Sequence, residues 1–162
     1  MQPLHLPPFA IKLSGSKQHP QVFDILRRKY VTLTPEEWVR QHFVHFLIEH
    51  KHYPPTLLGN EIQLRIGSKI LRADSVLYDR QLHPLAIMEY KAPHVAITQR
   101  VFDQILAYNT LLGAPYLMVS NGLKHYACKL DTKSKKYLYL RDIPDYSEIE
   151  TNFYSKRQGH LL

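Results

Sequence analysis

The chain has 162 residues, 44% of them hydrophobic and 22% charged, which is typical of one soluble globular domain with a real core. It contains no stretch of the roughly 20 apolar residues that a membrane-spanning helix needs, and its single cysteine excludes an internal disulfide. The formal net charge of +7 favours a polyanionic partner such as nucleic acid. The proline-containing N-terminus lacks an apolar signal sequence, so a cytoplasmic protein is expected.

The sequence pattern divides the chain into three parts. Residues 1–21 are rich in proline and predict an N-terminal arm with one short strand at residues 9–13. Residues 22–145 contain the periodic segments and form the predicted domain, and residues 146–162 have little periodicity and form a predicted tail. Residues 22–33 favour either a strand pair or a bent extended segment. Their basic run at 27–29 either contacts a phosphate backbone or forms a solvated surface.

A strong helix-start signal follows at residues 34–37. Thr34 suits the N-cap, Pro35 suits the first helical position, and Glu37 completes a capping box. The helix is predicted to continue to about His50. The residues expected to face the core at helical spacing are Trp38, Val39, Phe43, Phe46 and Leu47.

Two histidines of this helix raise the question of a metal site. His42 and His45 lie three positions apart, so their side chains share one side of the helix. The sequence marks no third ligand nearby, and a metal site here is therefore the weaker prediction.

Three strands are predicted next, at residues 61–66, 72–78 and 85–91, forming an antiparallel meander. A four-residue loop closed by Asp79 and Pro84 would set the register between the second and third strands. That register places Tyr78 opposite Leu85, Val76 opposite Ile87 and Asp74 opposite Glu89.

The opposed carboxylates of Asp74 and Glu89 need a physical reason, because like charges with Cβ atoms roughly 5 Å apart destabilise a sheet. A Mg²⁺ ion held between them would supply that reason, and Lys91 would reach the same reacting centre. The alternatives are solvated carboxylates at strand ends or a surface ion pair. A register slip of one residue would also separate the two carboxylates onto opposite faces.

Basic side chains lie near the end of this meander, where they could meet phosphates: Arg65, Lys69 and Arg72. A helix is then predicted from about Thr98 to Leu112 and ends at Gly113, a favoured left-handed cap residue. Gln104 and Tyr108 share one face of this helix. From spacing alone, a core-facing tyrosine beside a surface glutamine is the simpler interpretation of that pair.

The remaining segments predict strands. Residues 115–120 are almost continuously apolar and predict a buried strand, parallel to 85–91 if the intervening helix makes a crossover. Asn121-Gly122 is a strong turn signal, followed by strands at 123–130 and 137–140 on either side of a lysine-rich turn. The predicted fold class is therefore α/β with a mixed sheet.

The order of these elements and their motifs resemble the PD-(D/E)XK nuclease superfamily, and more closely the N-terminal nuclease domain of type I restriction enzyme R subunits. The resemblance covers residues 22–145. It implies a restriction-endonuclease-like αβββαβ core, with a mixed central sheet flanked by helices and a C-terminal hairpin. The segments that carry it are residues 34–41, Arg72-Ala73-Asp74, Glu89-Tyr90-Lys91 and 97–109 with Gln104-x-x-x-Tyr108.

This resemblance implies a metal-dependent endonuclease that hydrolyses DNA phosphodiester bonds. Asp74 and Glu89 would hold Mg²⁺, with Mn²⁺ as a substitute, and the backbone carbonyl of Tyr90 would be a further ligand. Lys91 would position or deprotonate the attacking water and offset charge in the transition state. Glu37 would be either a further acid of the site or only the partner in the capping box.

The resemblance also implies that Gln104 and Tyr108 contact DNA. Arg72 and Lys69 are predicted to contact DNA as well, because they are positively charged. Ala73 stands where the superfamily name has proline, and Tyr90 is larger than the residue usual in the closest relatives. The sequence has no Walker A pattern, so a nuclease without the ATP-driven motor is expected.

The expected partners are DNA and separate restriction-system subunits, with no membrane, and a homo-oligomer is left open. The alternative function is a catalytically silent nuclease-like module that binds DNA or a partner protein.

Overall fold

The computed structural model describes residues 1–158, which form two sheets and the helices that pack on them. A three-stranded antiparallel sheet, in the order β1-β2-β3, contains β1 (Leu13–Gly15), β2 (Pro20–Asp24) and β3 (Lys29–Thr32). A six-stranded sheet follows, in the order β4-β5-β6-β7-β8-β9. Its strands are β4 (Leu58–Ile66), β5 (Lys69–Tyr78), β6 (Pro84–Tyr90), β7 (Tyr116–Ser120), β8 (His125–Asp131) and β9 (Lys136–Tyr139). The helices are α1 (Pro35–His50), a short 3-10 turn (Pro55–Leu57), α2 (Gln99–Leu112) and α3 (Tyr146–Gln158).

The predicted fold class is confirmed, because the six-stranded sheet is mixed and carries helices on both faces. β6 and β7 run parallel, with Ala86 beside Tyr116, and α2 makes the crossover between them as expected. Met88 packs in the same cluster as α1, whereas its neighbour Ile87 packs in the cluster of α2. Because neighbouring strand residues point to opposite faces, the two helices cover opposite sides of the sheet.

Helix α1 begins where the sequence predicts, but its cap differs from a full capping box. Thr34 Oγ1 accepts a hydrogen bond from the backbone N–H of Glu37 at 3.0 Å. The return bond from the Glu37 side chain is replaced, since the Thr34 N–H donates to the Thr32 carbonyl at 3.1 Å. The Glu37 carboxylate instead accepts hydrogen bonds from arginines, which attract it more strongly than a neutral backbone N–H does.

Most of the predicted core face of α1 is confirmed. Val39, Phe43 and Leu47 are fully buried in the cluster beneath the helix, and Phe46 packs at its edge. Trp38 is only half-buried, and its indole N–H donates to the Gln2 carbonyl of the N-terminal arm. A tryptophan keeps its polar N–H where a partner can reach it, which accounts for the difference.

The first 33 residues differ from the prediction in one place. The expected strand at residues 9–13 is wrong, because β1 begins only at Leu13 and pairs with β2. Of the two interpretations of residues 22–33, the strand pair is the one observed. The buried Asp24 makes the turn between β2 and β3, accepting from the backbone N–H groups of Leu26 and Arg27.

The register between β5 and β6 is partly as predicted. Val76 lies opposite Ile87, but Tyr78 pairs with Pro84 rather than with Leu85, through a register shift after Leu77. The cause is the turn, where the Asp79 carboxylate accepts from the backbone N–H groups of residues 81 and 83 and tightens the loop.

Two further observations complete the fold. Residues 146–158 of the predicted tail form α3, whose Ile149 is fully buried in the cluster beneath α1, and residues 159–162 of that tail lie outside the described residues. Within residues 1–158, no helix combines the length and hydrophobicity needed to cross a membrane.

The buried Asp24 generates a prediction about stability. Burial would raise the pKa of this carboxyl, but hydrogen bonds from Arg27 and Asn60 hold it below the ordinary value of 3.8. We expect Asp24→Asn to lower the free energy of unfolding by about 3 kcal/mol at pH 7, because the half-buried Arg27 guanidinium loses one of its two carboxylate partners and keeps only Glu37. Chemical denaturation monitored by circular dichroism measures this loss.

The pH dependence has a defined sign. The stabilisation from a carboxyl with a lowered folded pKa is present above the unfolded value of 3.8 and is lost as the pH falls through the folded value. The difference between the wild type and Asp24→Asn should therefore shrink as the pH falls below 4. Asp103→Asn, an exposed carboxylate-to-amide change, is the matched control. An equal effect of both substitutions at pH 7 would contradict the role given to Asp24.

Candidate active site

A polar cavity of about 370 Å³ opens where β5 and β6 approach the start of α1. Its lining residues come from the strands β3 to β6, from α1 and from the loops beside them, which are distant in sequence. Several of the residues predicted for the site lie in it. The lining residues are Thr32, Thr34, Glu36, Glu37, Arg40, Glu61, Asp74, Glu89, Tyr90 and Lys91.

Asp74 is held at both of its carboxylate oxygens. Oδ2 accepts a hydrogen bond from the backbone N–H of Tyr90 at 2.8 Å, and Oδ1 lies 3.1 Å from the Arg40 guanidinium. The outermost pair of the β5–β6 ladder is Ser75 with Met88, one position before Asp74 and Glu89. Where the backbone pairing of β5 with β6 ends, the Asp74 side chain makes the next hydrogen bond to β6. This bond fixes the carboxylate beside β6.

Glu89 is buried and paired with Lys91, whose Nζ lies 2.7 Å from Glu89 Oε1. Burial raises the pKa of Glu89, and the charge of Asp74 raises it further. Burial likewise raises the pKa of Asp74. The pKa of both carboxyl groups is thus raised chiefly by burial, although Arg40 and Lys91 act to lower it.

Lys91 is a cation in this setting. Burial works to lower its pKa, but the hydrogen bond with Glu89 and the charges of Glu89 and Asp74 outweigh it, so the pKa is raised. Its backbone N–H donates to the Ser120 carbonyl at 2.9 Å and fixes the end of β6 against β7. An ammonium held in this way can offset negative charge or orient a water molecule, but it has no free lone pair to act as a base.

Arg40 is a residue of the site that the sequence analysis missed. It is 4% exposed, and its guanidinium contacts three carboxylates: Glu37 at 2.8 Å, Glu61 at 2.6 Å and Asp74 at 3.1 Å. It also lies 5.8 Å from the centre of the Tyr90 ring. The spacing of Glu37 and Arg40, three apart on a helix, was the signal that could have indicated a pair. The other two partners come from the sheet and could not be inferred.

Glu37 lies in the cavity and is engaged from three sides. Its carboxylate accepts from Arg27 at 2.7 Å, from Arg40 at 2.8 Å and from Gln41 at 2.8 Å. The interpretation that it serves only as a capping-box partner is wrong, because its side chain makes these bonds instead. Whether it takes part in chemistry stays a prediction.

Glu61 is a second residue of the site that the sequence analysis missed, and its backbone is unusual. It lies in the middle of β4 with a φ of 53°, a left-handed conformation that residues with a Cβ rarely adopt. The pairs on either side, Asn60 with Ser75 and Ile62 with Ala73, place it opposite Asp74. Its carboxylate contacts Arg40 at 2.6 Å and Arg72 at 3.2 Å. Strain of this kind concentrates at functional sites.

The predicted DNA-binding residues lie outside the cavity lining. Gln104 is exposed on α2, with its amide 3.3 Å from the half-buried Tyr108 hydroxyl. Arg72 and Lys69 are exposed on β5, and Arg72 Nε lies 3.2 Å from the carboxylate of Glu61 in the cavity lining. Their contact with DNA stays a prediction.

The two histidines of α1 that the sequence singled out, His42 and His45, make hydrogen bonds and ring contacts within the protein. His42 Nδ1 lies 2.9 Å from the Trp38 carbonyl, and His45 Nδ1 lies 2.8 Å from Glu49. Phe9 of the N-terminal arm stacks on His45 with 3.9 Å between ring centres. Across the described residues, no group of three or more histidine, cysteine or acidic side chains is arranged to hold a metal ion.

The donor set at Asp74 and Glu89 nevertheless fits one kind of ion. Mg²⁺ is usually bound through only one or two carboxylates, with water and substrate phosphate completing its shell. Asp74 and Glu89 both line the cavity and supply carboxylate oxygens, the donor type that such an ion takes.

Comparisons with known proteins agree with this architecture. Residues 35–144 match the family model of the type I restriction enzyme R protein N terminus (HSDR_N). The fold is similar to a fragment of a putative HsdR subunit of a type I restriction enzyme from Vibrio vulnificus YJ016, at 21% identity and a TM-score of 0.53, covering 75% of this chain and 25% of that chain. A DrdV–DNA complex aligns at 13% identity and a TM-score of 0.45, covering 75% of this chain and 12% of that one. No curated protein matches the sequence significantly. The chain thus spans a quarter or less of these structures.

The buried arginine generates the prediction of this section. We expect Arg40→Met to lower the free energy of unfolding by about 3–5 kcal/mol at pH 8, because three carboxylates lose their shared counter-charge. Arg40→Lys should lower the free energy of unfolding by less, since lysine keeps the positive charge but cannot bridge several carboxylates. Urea denaturation measures both.

Arg141→Met removes an exposed arginine and is the matched control. Lowering the pH towards 5 should partly restore the stability of Arg40→Met, because protonation relieves repulsion among the carboxylates. If Arg40→Met were as stable as the wild type at pH 8, Arg40 would not be the residue that compensates the negative charge of these carboxylates.

Proposed function

The chain belongs to the family of type I restriction enzyme R protein N-terminal domains, and from this premise we propose that it is a divalent-metal-dependent endonuclease that hydrolyses DNA phosphodiester bonds. The observation that carries the proposal is the joint placement of Asp74, Glu89 and Lys91 in one polar cavity. The positive net charge of the chain supports a polyanionic substrate.

Asp74, Glu89 and the Tyr90 carbonyl would hold the ion, for which Mg²⁺ is the first candidate and Mn²⁺ a substitute. When bound, such an ion polarises a phosphoryl oxygen and lowers the pKa of a bound water molecule. The protein contributes the fixed position of Asp74, which the Tyr90 N–H and Arg40 hold at separate oxygens. A ligand that is held before binding loses little entropy when the ion arrives.

Lys91 is proposed to act through its charge. Its raised pKa keeps it protonated at neutral pH, so it would stabilise the negative charge that develops on the phosphate and orient the attacking water. The alternative role as a base that deprotonates water is less favoured by this raised pKa.

The wider surface suggests how DNA is held. Gln104 and Tyr108 on α2, and Arg72 and Lys69 on β5, are proposed to contact DNA outside the cavity. Separate restriction-system subunits are proposed partners, since the family model describes one part of the R protein.

One observation supports a second candidate, a nuclease-like module that binds DNA without cutting it. Both carboxylates of the proposed metal site already have a cationic partner within the chain, Arg40 for Asp74 and Lys91 for Glu89. If these ion pairs persist in the presence of metal, the site would be neutralised internally and silent.

Cleavage assays on plasmid and single-stranded DNA distinguish these functions. We expect the wild type to cleave DNA in Mg²⁺ or Mn²⁺, and Asp74→Asn and Lys91→Met each to reduce the rate by about a hundredfold or more. Asp142→Asn changes a carboxylate with a 77% exposed side chain, and it should cleave at the wild-type rate. Unchanged cleavage in both site variants would refute the assigned chemistry.

Metal binding can be measured without turnover. Calorimetric titration of Mn²⁺ into the DNA-free protein should give a saturable binding isotherm that is weakened by about tenfold or more in Glu89→Gln and unchanged in Asp142→Asn. The reason is that Glu89→Gln replaces one of the two charged ligands by a neutral amide, which binds a hard cation less strongly. Salt-dependent DNA binding without any measurable metal binding would support the silent module instead.

A further inference from the structure

The hairpin of β4 and β5 continues beyond the active site as a two-stranded ribbon, here defined as residues 62–73. Its outer pairs are Gln63 with Arg72, Arg65 with Ile70 and Ile66 with Lys69. The turn at its tip is open, since a Cβ added at Gly67 would meet nothing within 4 Å. The β5–β6 pairs begin only at Ser75 and β4 is an edge strand, so residues 62–73 extend beyond the sheet as a ribbon.

The surface of the ribbon is exposed and basic. Residues 67–70 are exposed, as are Gln63, Arg65 and Arg72, and Ile70 is 64% exposed. Residues 62–73 contain three basic residues and no acidic one. A projecting element with this charge complements a polyanion rather than a protein core.

One side of the ribbon leads directly into the active site. Glu61 and Asp74 both contact Arg40 Nη2, and Glu61 also contacts Arg72, so these side chains share one side. Because side chains alternate along each strand, Arg65 and Ile70 lie further out on that same side. The ribbon and the carboxylates thus face one substrate.

The dimensions of the ribbon match one groove of DNA. Five residues separate Asp74 from the turn, which at ~3.3 Å per residue makes the ribbon roughly 16 Å long. The major groove is ~8.5 Å deep and ~12 Å wide and admits a two-stranded β-ribbon, whereas the minor groove is only ~6 Å wide. A ribbon of this length reaches base edges at its tip while its root stays at the level of the sugar-phosphate backbone.

We propose that the β4–β5 ribbon enters the major groove of double-stranded DNA and so presents the adjacent backbone to Asp74 and Glu89. This inference rests on the proposed function, because it specifies duplex DNA as the substrate of the same site. Arg65 and Lys69 contact phosphates flanking the groove or base edges within it. Arg72, whose Nε is held by Glu61, keeps its remaining N–H groups for the phosphate nearest the carboxylates.

Binding assays without divalent metal test this arrangement. In EDTA, Arg65→Gln/Lys69→Gln should bind a labelled duplex about tenfold more weakly than the wild type, with a shallower salt dependence, because each phosphate contact contributes about 0.9 to that slope. The affinity for either separated single strand should change by less than about twofold, since a single strand has no groove for the ribbon.

Lys133→Gln/Lys136→Gln is the matched control, because it removes the same charge at the opposite edge of the same sheet. Thermal unfolding confirms that each variant is folded. Equal weakening on duplex and single strand, or equal weakening by the control pair, would overturn the proposal.

The groove itself is tested by modification of the DNA. Methylation of guanine N7, which projects into the major groove, should weaken wild-type binding, whereas a minor-groove ligand such as netropsin should not displace the protein. The reverse result would overturn the assignment to the major groove.

The outcomes separate this inference from the proposed function. Ribbon-dependent duplex binding by a protein that never cleaves would leave the ribbon assignment standing and remove the nuclease. Cleavage that depends on Asp74 but is indifferent to the ribbon variants would do the opposite.

Discussion

The site depends on one buried positive charge. The Arg40 guanidinium lies among the carboxylates of Glu37, Glu61 and Asp74, which come from α1, β4 and β5. An ion in the protein interior is tolerated only when its charge is compensated. Here the carboxylates compensate the charge of the guanidinium, and the guanidinium reduces the repulsion among the carboxylates. The consequence is geometric as well as electrostatic: the start of α1 cannot shift relative to the sheet without exposing an unpaired charge. The same contacts give Asp74 a defined orientation at the point where backbone pairing between β5 and β6 ends.

The small N-terminal sheet belongs to this support. Asp24, at the end of β2, accepts from Asn60 of β4 at 2.9 Å, and Asn60 in turn accepts from Ser75 of β5 at 2.5 Å. Arg27 joins this buried chain to the cavity, because it contacts both Asp24 and Glu37. In the basic run at residues 27–29, Arg27 is therefore committed to the interior, whereas Arg28 and Lys29 are exposed, and their contact with a phosphate backbone stays a prediction. These hydrogen bonds connect β2, β4, β5 and α1 through one polar network.

The sequence predicts much of this structure because local patterns carry it. The Thr34 cap, the parallel pairing of 116–120 with 85–91 and the contact between Val76 and Ile87 follow from capping, crossover and alternation. What it could not predict depends on contacts between distant segments. Arg40 and Glu61 are ordinary charged residues in isolation, and only the fold brings them together. The shift at Tyr78 came from the side chain of Asp79, which turn propensities do not specify. α3 was missed because its sequence has little apolar periodicity.

The parallel pairing of β6 with β7 has a consequence for synthesis. The backbone N–H of Lys91 donates to the carbonyl of Ser120, and Glu89 lies beside Val119 of β7. The end of β6, which carries two of the proposed catalytic groups, can therefore pair with β7 only after residue 120 has been made. A chain still on the ribosome, with β7 inside the exit tunnel, holds the carboxylates and the lysine on an unsupported edge. The strand end that carries Glu89 and Lys91 is thus completed only late in synthesis, after the chain has passed residue 120 of 162.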